Sequence, residues 1–467
     1  MFPFDIRQLA EAMSAEIINE GDNGVFGSVC TDSRKVKEGD LFFALRGERF
    51  DGHDFILKAA AAGIRGAVVE REVEVPPEIS VFRVADSQAA LQNLARHNRR
   101  LSGVPVVGVT GSSGKTSTKD LIHSMLSVKF RTLKTEGNLN NELGLPLTLL
   151  RMDESHQAAV VEMAMRGMGE IDLLGRIALP TGAVITNIGE AHFEILGSVD
   201  NIARAKGEIL DHVPEEGFAV LHGESPFIER EARRCRGRVI FFGEDPGLDV
   251  YAREITPEDG GNNFVAVFRG REAEFFVPLP GRHNVINSLA AIAVGLEMGM
   301  EVEDIRTGLA GVHLTSMRME ITDFNGIKII NDSYNANPLS TRAAIQALAE
   351  TAKDKSRKVA VLGDMLELGD RSEPGHREVG GAVQKAGVDL LAAVGDQAMF
   401  IGAGAEEAGM PSGRIFYFKS PRDAARLFKS ILEPGDVVLV KGSRGMKMEE
   451  FITALKEDGG RTMGELV

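Results

Sequence analysis

The chain has 467 residues, 43% hydrophobic and 26% charged, with 68 acidic against 53 basic side chains and a net charge of −15. That is an ordinary globular composition, which excludes a disordered chain, and its acidic balance argues against a general nucleic-acid binder. Two cysteines, Cys30 and Cys235, are too few for a disulfide scaffold or a cysteine-rich metal site. No basic, apolar leader is visible in MFPFDIRQLAEAM, and no run of about 18 apolar residues suggests a membrane span. The expectation is a soluble cytoplasmic protein. At roughly 150 residues per domain, it has about three domains.

Short β-branched runs alternate with helical stretches along most of the chain. Residues 65–70 read as a strand after the helix FILKAAAAG, although the first 100 residues otherwise mix strand and turn signals. PVVGVTG (105–111), AAVVEMA (158–164) and GAVITNIG (182–189) form one series of strands. A β-rich insertion follows at 245–280, then the helical stretch VINSLAAIAVGLEMG. KVAVLGDM (358–365), DLLAAVGD (389–396), RIFYF (414–418) and DVVLVKGS (436–443) form a second series. Continuous apolar strands bounded by glycine, with helices between them, indicate α/β domains with parallel sheets covered on both faces. Ligands in such sheets sit beyond the carboxyl ends of the strands. Boundaries fall near 101–103 and 313–317, which predicts domains over 1–100, 101–314 and 315–467.

The sharpest motif is GVTGSSGKTST, residues 108–118. A strand runs into Gly111, Ser112, Ser113, Gly114, Lys115 and Thr116, and a helix begins at once with Ser117 in its first turn. Glycines let backbone N–H groups turn inward onto phosphate oxygens, and the helix N-terminus adds its positive end. Lys115 would set a charge beside the β- and γ-phosphates, and the Thr116 hydroxyl would ligate Mg²⁺. The strict pattern wants glycine where Val109 stands, so this is a variant loop. A plain glycine turn with an incidental lysine is the competing reading.

Three further residues lie near strand ends. Glu162 follows AAVV and reads either as a metal ligand or as a loop carboxylate or ion-pair partner. His192, just past GAVIT, reads as a ligand or a structural imidazole. Lys206 reads on its own as a surface lysine; a neutral amine there would be able to add CO₂ and present carbamate oxygens to Mg²⁺.

Nine stretches taken together resemble the Mur ligases, ATP-dependent amide-bond ligases of peptidoglycan synthesis. They are TGSSGKTST, TEGNLNNELGLPLTLL, EMAMRGMGEI, NIGEAHFEILGS, ARAKGEI, GRHNVINSLAA, SMRMEI, NDSYNANP and LGDMLELG. The resemblance runs from TDSR (31–34) to VKGSRGMKMEEF (440–451). It implies an N-terminal UDP-substrate-binding domain, a central P-loop ATPase domain and a C-terminal Rossmann-like domain. NDSYNANPLSTRAAI and VLGDMLELG most resemble the members that add D-alanyl-D-alanine to UDP-N-acetylmuramoyl-tripeptide, and the DNPR signature of the ligases that add meso-diaminopimelate is missing.

By resemblance, Lys115 and Thr116 serve ATP and Mg²⁺, Glu162 and His192 hold metal, and Lys206 matches the family's carbamylated lysine. Two Mg²⁺ ions are implied. Asn284 and Asn287 match positions on the adenine side of ATP; their alternative is a helix cap or turn. Arg318 and Asp332 match C-terminal contacts to phosphate and ribose; as bare residues they suggest an ion pair. Tyr334, Asn335 and Asn337 complete that motif. Ser33 and Arg34 match UDP contacts, RGERFDGHDF (46–55) resembles the loop beside them, and Asn138, Asn140 and Asn141 match substrate contacts. All of these polar residues are also good turn formers.

The implied chemistry is phosphoryl transfer to the tripeptide carboxylate, then attack on the acyl phosphate by the dipeptide amine, in a monomer whose central and C-terminal domains close over ATP. Neither a base for that amine nor the dipeptide pocket emerges from the sequence. A sister muramyl-peptide or folylpolyglutamate-synthase-like ligase, and a nucleotide-binding regulator that does not ligate, are the alternatives.

Overall fold

The computed structural model describes residues 1–22, 24–47, 49–258, 260–352 and 356–457. They form three sheets in chain order, each flanked by helices. The first has five strands in the order Glu16–Asn19, Ser80–Arg83, Gly66–Val69, Leu41–Phe43, Val29–Cys30. All its neighbours are parallel except the Glu16–Asn19 edge. Only Gly66–Val69 was legible in the sequence here. Val29–Cys30 and Leu41–Phe43 are two and three residues long, too short to show a period.

The helix Ser87–Ser102 leads into the second sheet. Asp86 caps its start by accepting from the Ala89 N–H, and Gly103, at φ +63°, ends it. The central sheet has nine strands. Its parallel part runs Thr132–Lys134, Ala158–Glu162, Val106–Thr110, Gly182–Ile185, Phe218–His222, Arg238–Gly243. Val250–Glu258 joins in parallel over two residues; Gly261–Phe268 and Arg271–Val277 then extend the edge as antiparallel hairpins. These last three strands are the β-rich insertion expected at 245–280.

Register fixes the functional geometry. Val106–Thr110 lies between Ala158–Glu162 and Gly182–Ile185, with Val109 opposite Glu162 and Thr110 opposite Ile185. Three loops therefore leave the same sheet edge side by side, carrying Gly111, Glu162 and Thr186.

The third sheet has six strands in the order Glu320–Phe324, Ile327–Asp332, Val437–Lys441, Lys358–Gly363, Leu390–Val394, Ile415–Phe418. It opens with an antiparallel hairpin and is otherwise parallel. Asp332 pairs in register with Lys441. The four strands of the second apolar series all form, within a residue or two of the expected limits. No helix among the described residues is long and apolar enough to cross a membrane.

Candidate active site

The phosphate loop follows the buried strand Val106–Thr110, whose β-branched residues suit a sheet covered on both faces. Gly111 sits at φ +153°, and a Cβ there would lie 1.9 Å from the Thr186 Oγ1. Gly114 sits at φ +77°, and a Cβ there would lie 2.8 Å from the Asn287 Oδ1. Only glycine fits either place without strain, as a tight strand-to-helix loop requires. The loop is braced from the neighbouring strand end. The Asn187 side chain accepts from the Ser113 N–H at 2.9 Å and donates to the Ser113 carbonyl at 3.0 Å. Ser112 Oγ donates to the Gly189 carbonyl and accepts from its N–H. The helix Lys115–Leu126 begins directly at the loop, with Thr116 buried and Ser117 in its first turn.

Lys115 Nζ donates to the Gly111 carbonyl at 2.8 Å. Loss of solvent lowers its pKa; Glu162 acts in the opposite direction and Arg318 adds to the lowering. The amine thus folds back on its own loop, within reach of the cradle.

Glu162 ends its strand at 2% exposure. One oxygen accepts from the Thr116 hydroxyl at 2.8 Å, the other from the Asn140 amide at 2.8 Å. It is buried from solvent, and among the described residues no ion pair reaches it. A buried hydroxyl and carboxylate in contact beneath a phosphate cradle form the hard-oxygen donor set that Mg²⁺ takes.

Lys206 is 1% exposed, which overturns the surface-lysine reading. It lies near the end of the helix Val199–Gly207, capped by Ser198. Burial, and next the Lys115 charge, lower its pKa well below the ordinary lysine range. That direction favours the unprotonated amine, the form that adds CO₂, so the residue fits a carbamate. His192 adopts a left-handed backbone, φ +64°, and its Nδ1 lies 3.0 Å from Glu367 Oε2, outside hydrogen-bond geometry. Among the described residues no three His, Cys, Asp or Glu side chains converge on a metal position. A metal here would need the hydroxyl of Thr116 or an oxygen on Lys206.

From the third sheet come Arg318 and Asp332. They do not form the ion pair that bare residues suggest. Asp332 binds the buried Lys441 across neighbouring strands. Arg318 stacks over the Tyr334 ring, Cζ 4.1 Å from its centroid, and its buried Nε has no hydrogen-bond partner among the described residues. An orphaned guanidinium donor on a cavity wall suits a phosphate oxygen. Asn335 gives its carbonyl to Lys441. Asn337 caps the helix Pro338–Thr351 and donates to the Ser112 carbonyl at 3.4 Å.

Asn284 and Asn287 lie inside the helix Arg282–Glu297, beyond its Gly281 cap. Asn284 donates to the Pro280 carbonyl, and Asn287 packs against Gly114, so neither is an N-cap. Asn138, Asn140 and Asn141 line the same cavity, with Asn141 also holding the Gly144 N–H. Ser33 and Arg34 do not join it. Arg34 is exposed and paired with Asp32 through 2.9 and 2.8 Å bonds, in the turn between two strands of the first sheet.

The resulting cavity holds about 990 Å³, and its walls come from both the second and third sheets. Lys441, Thr186, Asn187, His283 and the Arg282–Glu244 pair belong to it and were missed. Each acts across more than 35 residues of sequence or through register. NIG at the strand end and KG in VVLVKGS were the only local signals.

Three family models match the chain: the Mur ligase family catalytic domain over residues 26–111, the Mur ligase middle domain over 109–295, and the Mur ligase glutamate ligase domain over 317–444. The UDP-N-acetylmuramoyl-tripeptide–D-alanyl-D-alanine ligase of Bacillus subtilis is 41% identical, over 97% of this chain and 98% of its own. The chain belongs to the Mur ligase family. The crystal structure of MurF from Acinetobacter baumannii superposes with a TM-score of 0.89 at 35% identity, covering 97% of this chain and 98% of that one. MurF ligase from Thermotoga maritima, in complex with ADP, gives 0.82 at 31%, covering 92% and 96%. The Mur ligase architecture expected from the motifs is present along the whole matched length.

Proposed function

We infer that this chain joins D-alanyl-D-alanine to UDP-N-acetylmuramoyl-tripeptide with ATP, giving ADP and phosphate, in the making of peptidoglycan precursors. It is an amide-bond ligase by family, and the reaction is the one for which its relatives are named. The observation that carries the reading is the cavity between two sheets, with Lys115 and Glu162 on one wall and Arg318, Asp332 and Lys441 on the other.

A carboxylate is a poor electrophile, so activation must come first. An oxygen of the tripeptide carboxylate attacks the γ-phosphorus, and the bond to the leaving ADP breaks. The neutral amine of the dipeptide then attacks the acyl carbon, the bond to phosphate breaks, and the amine proton leaves to solvent or phosphate. Lys115 swings from the Gly111 carbonyl to the transferring phosphoryl group, and loop N–H groups hold its oxygens. Arg318 takes a phosphate oxygen on its unpartnered Nε. Asp332, held by Lys441, receives the ribose; Asn287 faces the adenine end, and Asn284, buried off the cavity, supports it by accepting from the Asn287 amide at 3.5 Å.

Thr116 and Glu162 would hold one Mg²⁺, and His192 with a carbamate on Lys206 a second. When bound, such ions would supply charge neutralisation for the phosphoryl transfer. Asn140 orients Glu162, and Asn138 and Asn141 face the incoming peptide. Ser33 and Arg34, on the first sheet, bind the UDP end at a distance from the chemistry. Residues 1–100, 101–314 and 315–467 act as the UDP, ATPase and C-terminal domains of this cycle.

The test is direct. Purified protein given ATP, the UDP-linked tripeptide and D-alanyl-D-alanine should release phosphate in step with the UDP-linked pentapeptide, followed by mass spectrometry. Phosphate release without the pentapeptide would sink the reading. For Lys206, alanine substitution should lower turnover on the order of a hundredfold, as for loss of a supporting metal ligand, with recovery on adding acetate or formate. Full activity without them would remove the carbamate.

A further inference from the structure

The chain passes from the second sheet to the third through residues 311–319, between the helix Val302–Ala310 and the strand Glu320–Phe324. Val312 and Leu314 pack in a core of the second sheet, and Met319 packs in a core of the third. The change of body therefore falls between Leu314 and Met319.

Thr315 belongs to the first of these bodies. Its N–H and its hydroxyl both donate to one oxygen of Asp120, each at 2.8 Å. The other Asp120 oxygen lies 3.1 Å from the Lys119 Nζ and 3.0 Å from the Lys134 Nζ. The Asp120 and Lys119 side chains are fully buried. Burial alone would raise the Asp120 pKa, but Lys119, the Thr315 donors and Lys134 together hold it below the ordinary aspartate value. A buried carboxylate that loses a donor keeps an unmet charge, so this grip is harder to break than the solvent-accessible Arg371–Glu190 pair.

Met317, Arg318 and Met319 belong to the other body. The Met317 carbonyl accepts from the Tyr334 N–H, and the Met319 N–H donates to Asp332, each at 3.2 Å. The Arg318 guanidinium lies over the Tyr334 ring. Met317 and Met319 stand in the left-handed region, φ +62° and +50°, a costly state for residues with side chains that these bonds hold in place. Arg318 is thus fixed to the third sheet. Between the two grips stands Ser316, exposed, outside any helix or strand and with no hydrogen bond among the described residues.

The grip on Thr315 also reaches the phosphate side. Asp120 lies on the helix Lys115–Leu126, which begins with Lys115 and Thr116. Lys119 Nζ donates to the Thr135 carbonyl, and the Thr135 hydroxyl accepts from the Glu162 N–H, each at 3.0 Å. One buried network therefore joins Glu162, the phosphate-loop helix and the fixed end of the linker.

We propose that Ser316 is the pivot on which the third sheet turns, and that Asp120 is a positioning residue for Arg318. By gripping Thr315, Asp120 fixes the point from which Arg318 swings onto a nucleotide held by Lys115. This deepens the ligase reading above and rests on its nucleotide site, whatever the amine acceptor.

Thr315→Val removes one donor, keeps the shape of the side chain and leaves both lysines beside Asp120. Its affinity for the β,γ-methylene analogue of ATP with Mg²⁺, read by calorimetry, should fall about tenfold. Thr315→Ser keeps the hydroxyl and should stay within about twofold of the unmodified protein. In an Arg318→Ala background, Thr315→Val should cost less than about twofold, the additivity error of such cycles. Unchanged affinity in Thr315→Val, an equal loss in both backgrounds, or a Thr315→Ser variant as weak as Thr315→Val overturns the positioning role. The pivot is read in the unmodified protein by amide hydrogen exchange at residue resolution, which decides alone if Thr315→Val does not fold. The Thr315 amide should stay protected with and without the analogue, while the Ser316 amide exchanges fast in the nucleotide-free protein. Equal exchange at the two amides overturns the pivot. A protein that passes both tests yet forms no pentapeptide counts against the ligase reading and leaves the grip standing.

Discussion

The second sheet meets its two neighbours in different ways. Towards the N-terminus the contact is a shared core. Phe4, Leu9, Leu91 and Leu94 belong to the same buried cluster as Leu145, Leu149, Met152 and Leu174. Buried polar groups stitch it: Asn98 donates to the Leu149 and Met152 carbonyls, and Arg99 to those of Ala178 and Leu179. Towards the C-terminus the buried clusters stop at the boundary. The junction is made by polar contacts. Asp120 accepts from the Thr315 N–H and hydroxyl, each at 2.8 Å; Arg371 meets Glu190 at 2.8 Å; Asn337 reaches Ser112. An interface of the first kind moves as one body, while one of the second kind is free to open. The cavity of the proposed nucleotide site lies across the second, so the proposed cycle would admit ATP with that junction open and exclude water with it shut.

This contrast can be broken at four points. The largest effect is expected at the opening interface, where Lys115→Ala should cut turnover on the order of a thousandfold with the thermal midpoint unchanged. Near-normal turnover would remove the phosphate loop from the chemistry. In the shared core, Leu94→Ala should cost about 2–5 kcal/mol of stability while folded molecules keep their kcat. Two separate unfolding transitions in the unmodified protein, one for each side, would contradict a fused core. Arg371→Ala removes the pair with Glu190 across the polar junction and an exposed pair with Glu378 on its own side; it should change stability by less than about 1 kcal/mol and raise KM for ATP a few-fold. A large fall in melting temperature would mean that the junction is structural.

The fourth point is pH. His123 and His283 are held neutral by burial, their pKa values pushed down from 6.5 to about 4. The unfolded chain takes up a proton on each as pH falls through 6.5, and the folded chain only near 4. Stability is therefore full above 6.5 and lost across that window. His123→Phe should flatten the slope of melting temperature against pH; an unchanged slope would place the proton uptake elsewhere.

What the sequence disclosed follows from range. The strand Val106–Thr110 and its glycine loop are local, contiguous and chemically constrained, so eleven residues sufficed to read them. The parallel strands showed as apolar runs because both their faces are covered. Asp332 illustrates the opposite case. Its partner Lys441 is set by strand order in the third sheet, 109 residues away, and no local pattern carries that information. Asp120 is similar: it looks like any charged residue in a helix, yet it grips the linker at Thr315, 195 residues on. Lys206 was legible only through family resemblance, since its burial depends on packing rather than on its neighbours in ARAKGEI.

That the nucleotide cavity borrows its walls from two separately packed bodies has a pharmacological corollary. A compound lodged in the seam between Asn337 and Ser112 would need no likeness to ATP, sugar nucleotide or dipeptide. Wedging the seam ajar would part Lys115 from Arg318 and leave every binding residue intact but out of reach of its counterpart.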